Sequence, residues 1–241
     1  MKKLLQALLN SAGYKITRDE YPSDFTESEI ETIRRVRPFT MTSPERIVAA
    51  IRTTEYIALN HVPGSIVECG VWRGGSMMAI ALTLLRLNKG NVPLYLFDTF
   101  EGMSEPTAID GTTAYKEWEV NRTPTHNKWC FASLAEAQNN LLSTSYNRDL
   151  IYFIKGKVED TLPDSAPAQI SLLRLDTDWY ESTKYELEHL FPRLSSGGVL
   201  LIDDYGYWEG ARKAVDEYIE QNRLTILLNR IDNTGRIGIK L

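Results

Sequence analysis

A Rossmann-like α/β fold, with a mostly parallel seven-stranded sheet ending in an antiparallel hairpin, is the fold class this sequence predicts. Three observations predict it. Five short, continuous apolar runs lie between residues 65 and 204, and such runs suit strands buried on both faces of a parallel sheet. Helical periodicity fills the stretches between them, so successive strands are joined by crossovers that are right-handed by default. Finally, "LTILLNRIDNTGRIGIKL" (224–241) changes character, with two alternating strands meeting at Asn233-Thr234-Gly235, a hairpin signal.

Taken in order, residues 1–61 read as an N-terminal helical segment. Its opening, "MKKLLQALLNSAGYKI", has paired lysines, but the apolar stretch is too short for a secretion signal and is broken by Gln6 and Asn10. It reads as an amphipathic helix. A second helix starts in "TMTSPERIVAAIRTTEYIALNHV" (40–62), where Thr42 or Ser43 precedes Pro44 and Glu45 as a start signal. The main domain follows over 62–241. Its predicted strands are "SIVECG" (65–70), "PLYLFD" (93–98), "DLIYFIKG" (149–156), "ISLLRLD" (170–176) and "GGVLLIDD" (197–204). Its predicted helices are 75–88, 133–143, 180–194 and 208–222. A parallel sheet finished by an antiparallel hairpin is the layout of a Rossmann-like methyltransferase domain. The stretch 99–132 shows no clear periodicity but carries Trp118, Trp129 and Phe131. So long an irregular connection is expected to be a substrate lid.

Composition narrows the class of function. The 241 residues are 43% hydrophobic and 24% charged, enough for one large core with an accessory segment. A net charge of −5, with no basic run, argues against a nucleic-acid partner. Cys69 and Cys130 make no disulfide framework, which suits a reducing, cytoplasmic compartment. No stretch approaches the ~20 apolar residues of a membrane span. A homo-oligomer is left open.

Two groups of residues carry chemistry. "VECGVWRGGS" (67–76) follows the first strand and opens a helix. Gly70 permits a tight turn, and Gly74 and Gly75 are expected to let a ligand approach the helix N-terminus. The dinucleotide pattern G-x-G-x-x-G is missing, and the acid at the next strand tip, Asp98, comes 28 residues after Gly70 (98 − 70) rather than ~20. With Glu68 facing an ammonium and Asp98 accepting both ribose hydroxyls, the pattern points to S-adenosylmethionine; an ordinary turn with solvated acids is the alternative. The second group is Asp176, Asp178, Asp203 and Asp204, at the tips of two adjacent strands. Converging carboxylates raise one another's pKa unless a cation neutralises them. Oxygen donors with no Cys or His select Mg²⁺, Ca²⁺ or Mn²⁺ over zinc. A helix cap from Asp178 and a turn from Asp203–Asp204 are the bland alternatives.

Four stretches resemble the macrocin O-methyltransferase family, sugar O-methyltransferases of macrolide and aminocoumarin pathways. They are "VPGSIVECGVWRGGS" (62–76), "LYLFDTFEGM" (94–103), "LLRLDTDWYEST" (172–183) and "GGVLLIDDYGYWEGARKAVDEY" (197–218). Weaker likeness in "MTSPERI" (41–47) and "IKGKVEDTLP" (154–163) extends it over roughly residues 40–220. The resemblance implies that Asp176, Asp203 and Asp204 bind Mg²⁺ and that Asp178 is the general base. It implies contacts to S-adenosylmethionine from Glu68, Gly70, Ser76 and Asp98, from the metal-binding Asp176, and from Thr42 and Ser133, the last two reading equally well as helix caps. The lid and N-terminus depart from the family, so the acceptor does not transfer; a glycosyl hydroxyl is expected. The competing expectations are a metal-dependent enzyme of catechols or phenols, and a non-catalytic cofactor- or nucleotide-sugar-binding protein. Of His61, His126 and His189, only His126, in the lid, competes with Asp178 as base.

Overall fold

A computed structural model describes residues 21–241. The amphipathic helix expected at the start of the chain lies outside the described residues. Helix α1 (Glu27–Val36) opens on a capping box, in which the Thr26 side chain accepts from the Glu29 N–H while the Glu29 carboxylate accepts from the Thr26 N–H. Helix α2 (Pro44–Leu59) has Ser43 as N-cap and Pro44 in its first turn, as its start signal predicts. Buried residues of α1 and α2, among them Ile33, Val36, Ile47 and Ile51, join one apolar cluster with Ile66, Leu94, Leu96 and Leu172 of the sheet. The two helices therefore share the core of the domain that follows them.

The sheet has seven strands in the order β3-β2-β1-β4-β5-β7-β6. Strands β1 (Ser65–Cys69), β2 (Leu94–Asp98), β3 (Ile151–Lys155), β4 (Ile170–Leu175) and β5 (Leu194–Ile202) run parallel, and β7 (Arg236–Ile239) is antiparallel to both β5 and β6 (Asn229–Arg230). This is the Rossmann-like α/β sheet expected. β1 and β4 are buried along their whole length, which explains their unbroken apolar runs. Between strands run α3 (Gly75–Arg86), α5 (Leu134–Leu142), the short α6 (Val158–Thr161), α7 (Tyr180–Leu190) and α8 (Glu209–Gln221). A second cluster, with Val67, Leu173, Leu187, Leu200 and Val215, fills the other face.

Two expectations are corrected. The lid is not wholly irregular: α4 (Gly111–Asn121) lies within it. The first strand of the hairpin shrinks to Asn229–Arg230, because residues 224–228 make no ladder despite their alternating pattern.

Register places the site. Cys69 pairs with Phe97 on one side and Leu175 on the other, and Leu175 pairs with Ile202. The next residue of each strand tip is then Gly70, Asp98, Asp176 and Asp203, aligned along one edge. It is the carboxyl-terminal edge, where open α/β sheets bind ligands.

Candidate active site

A cavity of about 260 Å³ opens at that edge. Its lining includes Thr42, Gly70, Ser76, Asp98, Asp176, Asp178, Asp203 and Asp204, eight residues singled out from the sequence. Ser133 is not among them; its side chain accepts from the Glu136 N–H at 3.2 Å and caps α5. Glu68 is not among them either: it is 1% exposed and pairs with Arg174 at 2.7 Å. Burial pushes the Glu68 carboxyl up to about 7, against the pull of the guanidinium.

Gly70 and Gly75 line the cavity, and the chain's own packing also requires a glycine at each. Gly70 has φ +81, and a Cβ there would lie 1.9 Å from the Asp176 carbonyl oxygen, so the close packing of the β1 and β4 tips requires a glycine. A Cβ on Gly75 would lie 2.5 Å from the Phe39 carbonyl oxygen. The backbone that approaches Gly75 is thus the chain's own N-terminal segment, which brings Phe39, Thr40, Met41 and Thr42 to the cavity wall. Asp98 accepts from the Val71 and Trp72 N–H groups through Oδ2 (2.7 and 2.9 Å) and from the Phe100 N–H through Oδ1 (2.6 Å). Burial raises its pKa, and these bonds oppose the rise. The carboxylate pins the loop first; only its remaining lone pairs are left for a ribose.

Among the described residues, Asp176, Asp203 and Asp204 each bring one oxygen within 4.8 Å of the others. Burial holds Asp176 well above the carboxylate range, Arg174 opposes this, and Asp203 and Asp204 add to it. Asp204 is raised likewise by burial and then by Asp178 and Asp203, and its Oδ2 is buried with no hydrogen-bond partner among the described residues. Asp178 is pushed up to about 8, by burial first and Asp176 second. An orphaned carboxylate oxygen inside an all-oxygen donor set fits a hard divalent cation.

Arg174 is the residue the sequence reading passed over. It is 4% exposed in β4, and its fork reaches Glu68 (2.7 Å), Asp176 (2.8 Å) and Asp203 (2.6 Å). The available signal was an arginine amid leucines in a buried strand, two residues before Asp176 and so on the same face. Arg46 was missed as well. It pairs with the second oxygen of Asp203 and with Asp232 (2.9 Å) of the hairpin turn, so the two arginines occupy both oxygens of Asp203.

Residues 99–132, the segment expected to be a lid, are bonded to this edge. Trp179 Nε1 donates to the Ser104 carbonyl (2.9 Å), Trp72 Nε1 to the Phe131 carbonyl (3.3 Å), and the Tyr180 N–H to Asp110 Oδ1 (2.7 Å). His126 bonds within the lid, to Thr123 and Thr125, and does not line the cavity.

The likeness to known proteins agrees with this geometry. The family model described as Macrocin-O-methyltransferase (TylF) matches residues 6–237. The chain is 34% identical over 196 residues to the 8-demethyl-8-(2,3-dimethoxy-alpha-L-rhamnosyl)-tetracenomycin-C 4'-O-methyltransferase of Streptomyces olivaceus, covering 81% of this chain and 73% of that protein. It is 30% identical over 196 residues to the demethyldecarbamoylnovobiocin O-methyltransferase of Streptomyces niveus, with the same coverage of 81% and 73%. Among solved structures, the O-methyltransferase NovP superimposes with a TM-score of 0.76 at 28% identity, over 84% of this chain and 82% of that one.

Proposed function

The chain belongs to the macrocin O-methyltransferase family and is an S-adenosylmethionine-dependent O-methyltransferase, and from that premise we propose that it methylates a hydroxyl of a sugar or glycosylated metabolite. The observation that carries the reading is the carboxylate cluster at the tips of β4 and β5, opening into the same cavity as the glycine loop.

S-adenosylmethionine, when bound, supplies a methyl group on a sulfonium that leaves as a neutral sulfide. Thr42, Gly70, Ser76 and Asp98, which line the cavity, would contact it. Asp176, Asp203 and Asp204 would hold Mg²⁺, which supplies acidification and orientation of a hydroxyl it touches. Asp178, beside them, would take the proton of the acceptor hydroxyl. The cavity walls would hold acceptor and donor together, so much of the gain would be positional. Glu68 acts at one remove, by setting Arg174 against the acid cluster. A cytoplasmic location belongs to the same proposal, supported by the free thiols of Cys69 and Cys130.

A second acceptor class, catechols and other flat phenols, is favoured by the indoles of Trp129, Trp179 and Trp208 packed beside Asp178. One experiment separates the readings: a methyl-transfer screen with radiolabelled S-adenosylmethionine over rhamnosides and catechols, with and without EDTA. Transfer to a rhamnoside that EDTA abolishes supports the proposal. Transfer to catechols alone moves the acceptor to the second class, and full activity in EDTA removes the cation.

A further inference from the structure

On one side the carboxylate of Asp178 meets an indole N–H. Trp208 Nε1 donates to Asp178 Oδ1 at 2.8 Å, across 30 residues of sequence. The backbone at Asp178 has φ +69, a conformation few non-glycine residues adopt and one that surrounding contacts must enforce. Trp208 is itself wedged in place. Its ring packs edge-on against Trp179 (centroids 5.1 Å apart), Trp129 (6.0 Å) and Tyr207 (4.8 Å). Trp179 is buried, 2% exposed, and bonded to the lid at Ser104; Trp129 belongs to the lid. Three elements thus converge on one indole: the β4–α7 turn, the β5–α8 loop and the lid.

We propose that Trp208 is a positioning residue for Asp178. Its N–H takes Oδ1 and thereby turns Oδ2 toward the acceptor hydroxyl, with the lid's Trp129 and Trp179 fixing the indole that does so. The inference rests on the reading of Asp178 as the base, and it goes beyond that reading by naming what aims it. A carboxylate free to rotate presents either oxygen, in many directions, and only a small share of these meets the acceptor proton in line with methyl transfer. The indole N–H is a donor at every pH.

The test is a double-mutant cycle of Trp208→Phe and Asp178→Asn, since phenylalanine keeps an aromatic ring and removes the donor. Turnover is measured with radiolabelled S-adenosylmethionine and p-nitrophenyl α-L-rhamnopyranoside, and cofactor affinity by calorimetry. Trp208→Phe should lower kcat about 10- to 100-fold, with KM and cofactor affinity within about twofold of wild type. In the Asp178→Asn background the same change should cost less than about twofold, because a residue acting through Asp178 has nothing left to act on. An equal loss in both backgrounds, or none in either, overturns the inference. An Asp178→Asn enzyme as active as wild type instead removes the base reading itself. A second measurement needs no acceptor: in ¹⁵N-tryptophan-labelled protein, the resonance that Trp208→Phe deletes should lose its protection from exchange in Asp178→Gly, which removes the accepting oxygen and suits φ +69, whereas the amide oxygen of Asp178→Asn still accepts. If that resonance is unprotected in the wild type, the hydrogen bond and the proposal built on it fail.

Discussion

Replacing Arg174 by methionine should expose how the acid cluster is balanced. The side chain is 5% exposed and, among the described residues, is the only cation that touches Glu68, Asp176 and Asp203 together, at 2.7, 2.8 and 2.6 Å. Methionine matches its stem but leaves three carboxyls facing one another. Removing one partner of a buried ion pair costs about 3–5 kcal/mol, the remaining charge being uncompensated. In a chain this long each kcal/mol moves Tm by about 2–4 °C, so a fall of about 6–20 °C is expected. A divalent cation should recover part of it. It fills the same electrostatic need, and at a hundred times its Kd a ligand of the native state adds about 2.7 kcal/mol. Lysine should fall between the two, since one ammonium cannot reproduce the fork. The assay is urea denaturation of the full chain with EDTA and with a Mg²⁺ series. If Arg174→Met in EDTA lies within about 1 kcal/mol of wild type, the guanidinium does not hold the cluster and the account is refuted.

Asp204→Asn should weaken Mn²⁺ binding in calorimetry about 10-fold or more while leaving the fold intact, because its buried Oδ2 has no protein partner to lose. Gly70→Ala should destabilise the chain by at least about 1–3 kcal/mol, given φ +81 and a Cβ pressed onto the Asp176 carbonyl, as a thermal melt would show. Glu186, fully buried in α7, accepts from Thr177 at 3.2 Å, and burial holds its pKa well above the ordinary carboxylate value. Its contribution is therefore fully present below its unfolded pKa of about 4.3 and is lost as pH rises above it, by up to about 1.4 kcal/mol per unit. Glu186→Gln has no such loss, so its stability advantage over wild type should widen from pH 5 to pH 8; an advantage constant over that range would count against the buried acid being neutral.

Much of this molecule is written locally. The strands from Ser65 to Ile202 declare themselves by unbroken apolar runs, and α2 by its Ser43 cap and Pro44, because burial on two faces and the needs of a helix start act over a few residues. The lid helix was hidden because only Ala114 and Trp118, one i,i+4 pair, are buried along Gly111–Asn121. Residues 224–228 carried a strand pattern with no strand to pair with.

By itself the sequence determined that three strands end in aspartates, that a glycine loop follows the first strand, and that their tips share an edge. Only the tertiary structure decided which partner each acid has. Glu68 turned to Arg174 and left the cavity wall, Asp98 turned to the loop's own N–H groups, and Asp203 was taken by two arginines from different parts of the chain. Among the described residues, Asp204 Oδ2 and Glu68 Oε2 stayed buried without a partner. The reason is physical. A strand's apolar pattern is set by its own neighbours, whereas the state of a buried carboxyl depends on charges that register brings beside it. The partners here lie 106 residues apart for Glu68 and Arg174 and 157 for Arg46 and Asp203, distances over which no sequence period carries information.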